Sequence, residues 1–407
     1  MPNPYAKIFA EPGTIGFSSA AFLGRMPIAM APIGIVAMLS QTHSEYWLAG
    51  AVSATFALAN AFIAPQLSRL IDRYGQTAIT VPTALVSALS FLGLMLAANR
   101  GWETWTLFAF ALAAATMPSL SAMVRARWSH VLAGRPELNT AFAFESAADE
   151  LLYIAGASLS VGLSVSLFPE AGLAVSTALF VIGALAFVLQ RSTEPSPHFD
   201  SHAGRRGSAI ALRPVQIITL ALVFVGAMFA TVEVGAVAVT EQLGQPSAAS
   251  LVIGVYAVGS FVLGLVLGAL NPSMPLQRQL LLAVLVLALT ALPLLLGGSS
   301  VPLLASLVFL SGIAISPTFI TAFGLIEKRV PETMLTEGVT WVTTGIGIGM
   351  ALGSFTAGWV VDNHGGENAF WVSVIAGFAA AATIGLGQAA LSRTDETSPP
   401  PVAAQRA

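Results

Sequence analysis

Twelve apolar stretches, each long enough to cross a lipid bilayer as a helix, run through this chain of 407 residues. A crossing helix needs about 20 apolar residues because the hydrocarbon core of a bilayer is about 30 Å thick. The stretches are 14–38, 48–66, 78–98, 102–124, 140–166, 171–190, 214–240, 248–270, 278–298, 301–326, 336–361 and 368–391. They are continuously apolar rather than alternating in polarity, so we predict an all-α polytopic membrane protein and not a β-barrel.

The composition agrees with a chain that lies mostly in lipid. Hydrophobic residues make up 56% of it and charged residues only 9%, whereas a soluble domain carries about 25% charged residues. A soluble enzyme is therefore excluded. The sequence contains no cysteine, and its five histidines are scattered, so we expect neither a metal site nor a cofactor.

Basic residues indicate the orientation of the chain. With the amino terminus in the cytoplasm, fifteen lysines and arginines of the loops and tails fall on the cytoplasmic side, and only Arg100 falls outside. This asymmetry follows the positive-inside rule. We therefore predict a multi-pass protein of the plasma (inner) membrane with both termini in the cytoplasm.

The longest polar segment divides the chain in two. It lies between spans six and seven and is rich in Ser, Pro, Gly and Arg, which favours a mobile linker. We predict an N-terminal six-helix bundle over 1–190, a cytoplasmic linker over 191–213, a C-terminal six-helix bundle over 214–391 and a cytoplasmic tail over 392–407.

A weak internal repeat supports this division. Pro118, Leu138 and Gly156 correspond to Pro317, Leu335 and Gly353, at separations of 199, 197 and 197 residues. Two parallel repeats around a shared site at the membrane midplane are a common design of secondary transporters.

The loop between spans two and three reads Ser-Arg-Leu-Ile-Asp-Arg-Tyr-Gly-Gln-Thr over 68–77. It resembles the loop signature of the major facilitator superfamily, Gly-x-Leu-x-Asp-Arg-x-Gly-Arg-Lys. The residues that match are Leu70, Asp72, Arg73 and Gly75, and those that depart are Ser68, Gln76 and Thr77. The resemblance implies two pseudo-symmetric six-helix bundles and alternating access.

The same resemblance implies a conformational latch formed by Asp72, Arg73 and Gly75, which holds the outward-facing state. An aspartate near a helix end can accept charge-assisted hydrogen bonds from a neighbouring helix start, and a glycine permits a sharp turn. The alternative is a short charged loop that only fixes topology.

Two features differ from the drug-antiporter branch of this superfamily. That branch carries a Gly-Pro pair in span five and an arginine in span four. The stretch from Gly156 to Gly162 has no proline, and the stretch from Trp105 to Val124 has no arginine. The basic residues that follow spans four and ten are expected to be cytoplasmic anchors; they are Arg125, Arg127, Lys328 and Arg329.

Ionisable residues inside the spans are the first functional candidates, because a charge at bilayer depth costs several kcal/mol. Arg25 and Asp149 lie about 17 and 14 Å from the cytoplasmic ends of spans one and five, at ~1.5 Å per residue, so we predict that Arg25 pairs with Asp149 or its neighbours. Glu145 shares a helix face with Asp149, and Glu150 is turned about 100° away. One of these acids is expected to hold a proton, although Glu145 can instead snorkel to the cytoplasm.

Four further residues, namely Tyr153, Glu233, Asn60 and Trp341, complete the predicted proton-coupling and substrate cavity. Tyr153 and Gly156 continue the Asp149 face and are expected to offer a hydroxyl and space. Glu233, deep in span seven, is the second candidate proton site. Asn60 either hydrogen-bonds across the cavity or packs helices, and Trp341 either contacts the substrate or anchors the helix at the interface.

We therefore predict a secondary active transporter, without an enzymatic activity, that exports a drug or metabolite in exchange for protons. Its partners are expected to be the small-molecule substrate, protons and the lipid bilayer, with no nucleic acid, and the protein is expected to be a monomer. The alternative is a proton symporter or facilitator that imports a sugar or organic anion, with Arg25 binding the anion. An intramembrane lipid-modifying enzyme is a remote alternative, because no clustered catalytic or metal-binding motif supports it.

Overall fold

The computed structural model describes residues 4–42, 46–197, 207–245, 248–270 and 274–392. Within these ranges the chain forms sixteen α-helices and no β-strand. The helices are α1 (Pro4–Ile8), α2 (Thr14–Arg25), α3 (Pro27–Thr42), α4 (Tyr46–Tyr74), α5 (Gln76–Arg100), α6 (Thr104–Ala114), α7 (Leu120–Val131), α8 (Glu137–Ser166), α9 (Ala171–Val188), α10 (Arg213–Gln242), α11 (Ala249–Leu270), α12 (Leu276–Ala291), α13 (Val301–Gly312), α14 (Ile315–Arg329), α15 (Leu335–His364) and α16 (Gly366–Ser392).

Nine helical stretches in the described ranges are long and apolar enough to cross a membrane. They are Thr14–Thr42, Leu48–Tyr74, Gln76–Arg100, Ala171–Val188, Arg213–Gln242, Leu276–Ser299, Val301–Arg329, Glu332–His364 and Gly366–Ser392. The other three predicted spans fall on α6 with α7, on α8 and on α11.

The fourth predicted span is built from two helices rather than one. Helix α6 ends at Ala114, and α7 begins at Leu120, where the side chain of Ser119 accepts a hydrogen bond from the backbone nitrogen of Ala122 at 3.4 Å. Pro118, which has no backbone N–H, lies in the break. Helix α7 then runs to Val131, seven residues past the predicted end at 124, so the basic residues that follow 124 lie on a helix and not in a loop.

Small residues allow α15 to approach α10 closely. A Cβ atom on Gly345 would lie 2.7 Å from the backbone oxygen of Thr219, and one on Gly349 would overlap the backbone of Val223. Close helix contact through small residues is typical of membrane proteins. Gly345 and Gly349 therefore serve the packing of α15 on α10.

One end of the bundle carries most of the basic loops, and we call it the basic end. Helices α4, α7 and α14 finish there, and α8 and α15 start there. It is the end that the distribution of basic residues predicts to be cytoplasmic. The predicted domain boundaries stay a prediction, since residues 198–206 of the linker and 393–407 of the tail lie outside the described residues.

Candidate functional site

Arg25 ends helix α2 and is 1% exposed. One Nη atom lies 2.7 Å from Oδ1 of Asp149 and the other lies 2.6 Å from Oε2 of Glu145. Both acids lie on α8, four residues apart and therefore on one face. The ion pair expected from the similar depths of Arg25 and Asp149 is thus present, and Glu145 shares the guanidinium.

A second arginine joins this group from α7. An Nη atom of Arg125 lies 2.8 Å from Oδ2 of Asp149, and the side chain is 1% exposed. Arg127 is fully buried, and its Nε donates to Oε1 of Gln76 at 2.8 Å. The prediction that Arg125 and Arg127 are cytoplasmic loop anchors is therefore wrong, because α7 continues past 124 and turns both guanidinium groups into the protein.

Glu145 is enclosed rather than snorkelling to the membrane surface. Its side chain has no exposed area. Besides its ion pair with Arg25, it accepts hydrogen bonds at Oε1 from the hydroxyl of Ser18 at 2.8 Å and from the indole nitrogen of Trp128 at 2.7 Å. Every oxygen of this carboxylate therefore has a partner.

The four charged side chains form a network that we call the charge cluster: Arg25, Arg125, Glu145 and Asp149. Its two positive and two negative charges cancel. In a buried ion pair, the attraction between the charges offsets their desolvation only when the geometry is good and further hydrogen bonds satisfy the remaining donors and acceptors. Of the two acids only Asp149 is open to solvent, with 24% of its side chain exposed. The repulsion expected between Glu145 and Asp149 is relieved, since each faces an arginine.

Asp149 is close to two further polar residues, Tyr153 on α8 and Glu233 on α10. Tyr153, one turn further along α8, is 47% exposed, and its hydroxyl lies within electrostatic range of both Asp149 and Glu233. Helices α8 and α10 make few or no close backbone contacts with each other in the described chain. We call the space bordered by Asp149, Tyr153 and Glu233 the central cavity.

Gly156, on the same face of α8 as Asp149, does not offer the space that was expected of it. A Cβ atom on Gly156 would meet the Cβ of Ala29 at 2.8 Å. Gly156 thus packs against α3 and leaves no room for a substrate, contrary to the expectation. The side chain of Glu150 lies outside the described residues.

Glu233 lies on α10, nine residues from the end of that helix, or about 14 Å at ~1.5 Å per residue. It is partly buried. Within the described part of the chain its carboxylate takes part in no hydrogen bond and no ion pair. An unpaired carboxylate at this depth is costly, so it must be protonated or reached by water.

Asn60 and Trp341 have local partners. The side-chain nitrogen of Asn60 donates to the backbone oxygens of Ala115 at 2.9 Å and Met117 at 3.3 Å. These carbonyls lie in the break between α6 and α7, so Asn60 satisfies acceptors that the break releases. The indole nitrogen of Trp341 donates to Oε1 of Glu337 at 3.3 Å.

Asp72 sits at the start of helix α15. Its Oδ1 accepts a hydrogen bond from the backbone nitrogen of Thr336 at 3.1 Å, and Oδ2 accepts one from that of Glu337 at 2.9 Å. A carboxylate in this position satisfies unpaired N–H groups and complements the helix dipole. The contact joins the second predicted span to the eleventh at the basic end.

The other members of the predicted latch behave differently. The guanidinium of Arg73 is exposed and lies over the ring of Tyr74, 5.2 Å from its centre. Gly75 has a φ of 95°, a conformation that favours glycine, and it starts α5 immediately after α4. Ser68, which departs from the family pattern, bonds through its hydroxyl to that of Thr340 on α15 at 2.7 Å.

The family model for the Major Facilitator Superfamily matches the chain over residues 15–296 and 218–406. None of the curated proteins matches the chain by sequence.

Solved structures share its fold. A bacterial homologue of the iron transporter ferroportin, in an outward-facing state, is 15% identical, with a TM-score of 0.68 over 92% of this chain and 99% of that chain. The human organic anion transporter MFSD10 gives 15% identity and a TM-score of 0.68 over 92% and 100%. The transporter FucP in its outward conformation gives 16% and 0.71 over 94% and 99%. At this identity the likeness concerns the fold alone, and it confirms the predicted all-α polytopic architecture.

Proposed function

Because this chain belongs to the major facilitator superfamily, a family of secondary transporters and not of enzymes, we propose that it exports a small molecule in exchange for protons. The observation that carries the proposal is the unpaired carboxylate of Glu233 in the central cavity. A group that must change its protonation state during transport cannot be held permanently by an arginine. Glu145 and Asp149 are so held, and Glu233 is not.

The same feature favours exchange over symport. A single carboxylate without a basic neighbour holds either a proton or a polar group of a substrate, so the two displace each other. Proton and substrate then cross in opposite directions, and an inward proton gradient drives export.

The contacts at the basic end support an outward-facing state in this scheme. Asp72 holds the start of α15, and Ser68 bonds to Thr340. With the basic end in the cytoplasm, as the basic residues predict, these bonds close the cytoplasmic entrance. Release of Asp72 accompanies the switch.

Import of an organic anion on Arg25 receives less support. Both Nη atoms of this residue contact carboxylates, and its Nε donates to the backbone oxygen of Ala21 at 3.1 Å. Three of the five N–H groups of the guanidinium are therefore engaged, and the side chain is 1% exposed, so an anion can reach it only by disrupting the charge cluster.

The proposal is tested by transport in proteoliposomes with an imposed pH gradient. A panel of labelled cationic, neutral and anionic compounds is screened for gradient-driven accumulation with the wild-type protein, Glu233→Gln and Glu241→Gln. Glu241 is an exposed acid near the end of the same helix and serves as the matched control. We expect accumulation with wild type and Glu241→Gln and its loss with Glu233→Gln. If the wild-type protein transported a compound at a rate that did not depend on the pH gradient, it would instead be a facilitator.

A further inference from the structure

The face of α10 that carries Glu233 also carries an aromatic ring. Phe229 lies four residues earlier and therefore on the same face, with Cβ atoms about 5–6 Å apart. The ring of Phe229 is only partly buried. A group in the cavity beside Glu233 can thus contact this ring at the same time.

Further aromatic residues pack with this ring, two of them, Tyr256 and Phe323, being only 3% exposed. We call the set the aromatic wall: Phe229, Tyr256, Phe319 and Phe323. The ring of Phe229 lies edge-on to that of Tyr256, with centres 5.4 Å apart, and is parallel to that of Phe319, with centres 6.1 Å apart. Phe319 is also partly buried, and its ring centre lies 6.4 Å from that of Phe323.

The aromatic wall contacts the charge cluster through Phe323. The guanidinium carbon of Arg125 lies 4.1 Å from the centre of the Phe323 ring. One cation therefore already stacks on this wall. The partly buried rings of Phe229 and Phe319 stack on no cation among the described residues, and their π faces attract a positive charge in the same way.

The charges around the cavity add up to one negative charge among the described side chains. The charge cluster contributes zero, because its two arginines balance its two acids. Glu233 contributes the remaining charge when it is ionised. Glu233 is thus the uncompensated carboxylate among these described side chains, and a ligand that pairs with it carries a positive charge.

We propose that the central cavity binds a monovalent organic cation, held by the carboxylate of Glu233 and the partly buried ring of Phe229. The inference rests on the proposed proton exchange and names the substrate class of that same site. Neutral and anionic molecules form no ion pair with Glu233, and a divalent cation leaves one charge uncompensated in a site of low dielectric.

The charge balance fixes the stoichiometry. When the cation leaves, Glu233 takes up one proton, and when the cation binds, Glu233 loses it. One positive charge moves in each direction per cycle, so the exchange is electroneutral. A pH gradient then drives transport and a membrane potential does not.

Binding is measured first, on the purified full-length chain, with labelled benzyltrimethylammonium as the probe. Its neutral isostere neopentylbenzene, in which carbon replaces the charged nitrogen, serves as the matched control ligand. We expect at least tenfold tighter binding of the cation at a pH where Glu233 is ionised, with competition by protons as the pH falls. Equal binding of the two ligands would overturn the inference.

Variants locate the site. Glu233→Gln should weaken cation binding at least tenfold, and Glu233→Asp should retain most of it. Phe229→Ala should weaken it about threefold to tenfold, as expected for a cation on an aromatic face, whereas Phe229→Tyr and Phe355→Ala should not. Phe355 is 75% exposed on α15 and controls for a general loss of an aromatic side chain. Unchanged binding in Glu233→Gln would also overturn the inference.

The transport assay separates this inference from the proposed function. Proton-coupled uptake of another panel compound, without binding of the cation, would contradict the cation site and leave proton exchange standing. Binding of the cation without any response to the pH gradient would contradict proton exchange. For the exchange itself, uptake of the cation should be the same with and without a potassium diffusion potential, and a dependence on that potential would contradict the electroneutral stoichiometry.

Discussion

The hydroxyl of Ser68 on α4 lies 2.7 Å from that of Thr340 on α15. This hydrogen bond joins two helices through residues that are 272 positions apart in the chain. Because the natural sequence contains no cysteine, the pair offers a direct way to fix the state in which the basic end is closed.

Cysteines in place of both Ser68 and Thr340 should form a disulfide under oxidising conditions, since atoms this close satisfy the geometric requirement after a small adjustment. We expect the crosslink to arrest transport and a reductant to restore it. A protease site placed within 198–206 allows the crosslink to be detected by electrophoresis. Each single-cysteine variant is the control. Full transport by a crosslinked protein would show that this contact does not open during the cycle.

Replacing Asp72 by Asn should favour opening of the basic end. The charge at the start of α15 is lost, and such a charge contributes about 0.5–1 kcal/mol, which shifts the equilibrium about twofold to fivefold. The measurement is the rate at which a thiol reagent labels a cysteine at Thr344, a residue whose hydroxyl bonds to the backbone of Ala61 on α4 at 3.4 Å. Arg73→Gln should leave this rate unchanged, because Arg73 is exposed; an equal effect of both changes would contradict a specific role of Asp72.

Replacing Glu145 by Gln should destabilise the protein. Removal of one partner from a buried ion pair typically costs about 3–5 kcal/mol, and here it leaves two arginines sharing one carboxylate. Thermal unfolding in detergent should therefore begin at a clearly lower temperature than for wild type. Glu241→Gln, at an exposed position, should unfold like wild type. An unchanged unfolding temperature in Glu145→Gln would show that the charge cluster does not stabilise the fold.

Two neighbouring glycines of α15 should respond differently to alanine. At Gly349 the added methyl group collides with the backbone of Val223, whereas at Gly347 no atom lies within 4 Å. Gly349→Ala should lower stability by about 1–3 kcal/mol because α10 must move away. Gly347→Ala should be neutral or slightly stabilising, since alanine favours the helix. Thermal unfolding in the same detergent distinguishes them, and equal behaviour would mean that α10 and α15 are not in close contact.

The fold was accessible from the sequence because apolar length and loop charge report on membrane spans directly. The break between α6 and α7 was not predicted, and it hides the continuation of span four to Val131. Arg125 was therefore assigned to a loop. Ser121, Arg125 and Trp128 follow each other at spacings of four and three residues, which places them on one face of a helix. This spacing was a signal that the helix continues past residue 124.

The partners of the charged residues were only partly predictable. Depth along the helices brought Arg25 and Asp149 to one level, because rise per residue is constant. Contacts such as those of Glu145 with Ser18 and Trp128 depend on how three helices rotate against each other, which periodicity in one sequence does not determine. The unpaired state of Glu233 could be anticipated, since no basic residue lies in the neighbouring spans.

Proton exchange at Glu233 is tested most directly by the protons themselves. Proteoliposomes that contain a pH-sensitive dye and are preloaded with benzyltrimethylammonium are diluted into cation-free buffer without a pH gradient. As the cation leaves, wild type and Glu241→Gln should acidify the lumen by one proton per cation, and Glu233→Gln should not. Acidification by Glu233→Gln at the wild-type ratio, or efflux from wild type without any proton movement, would contradict the assignment.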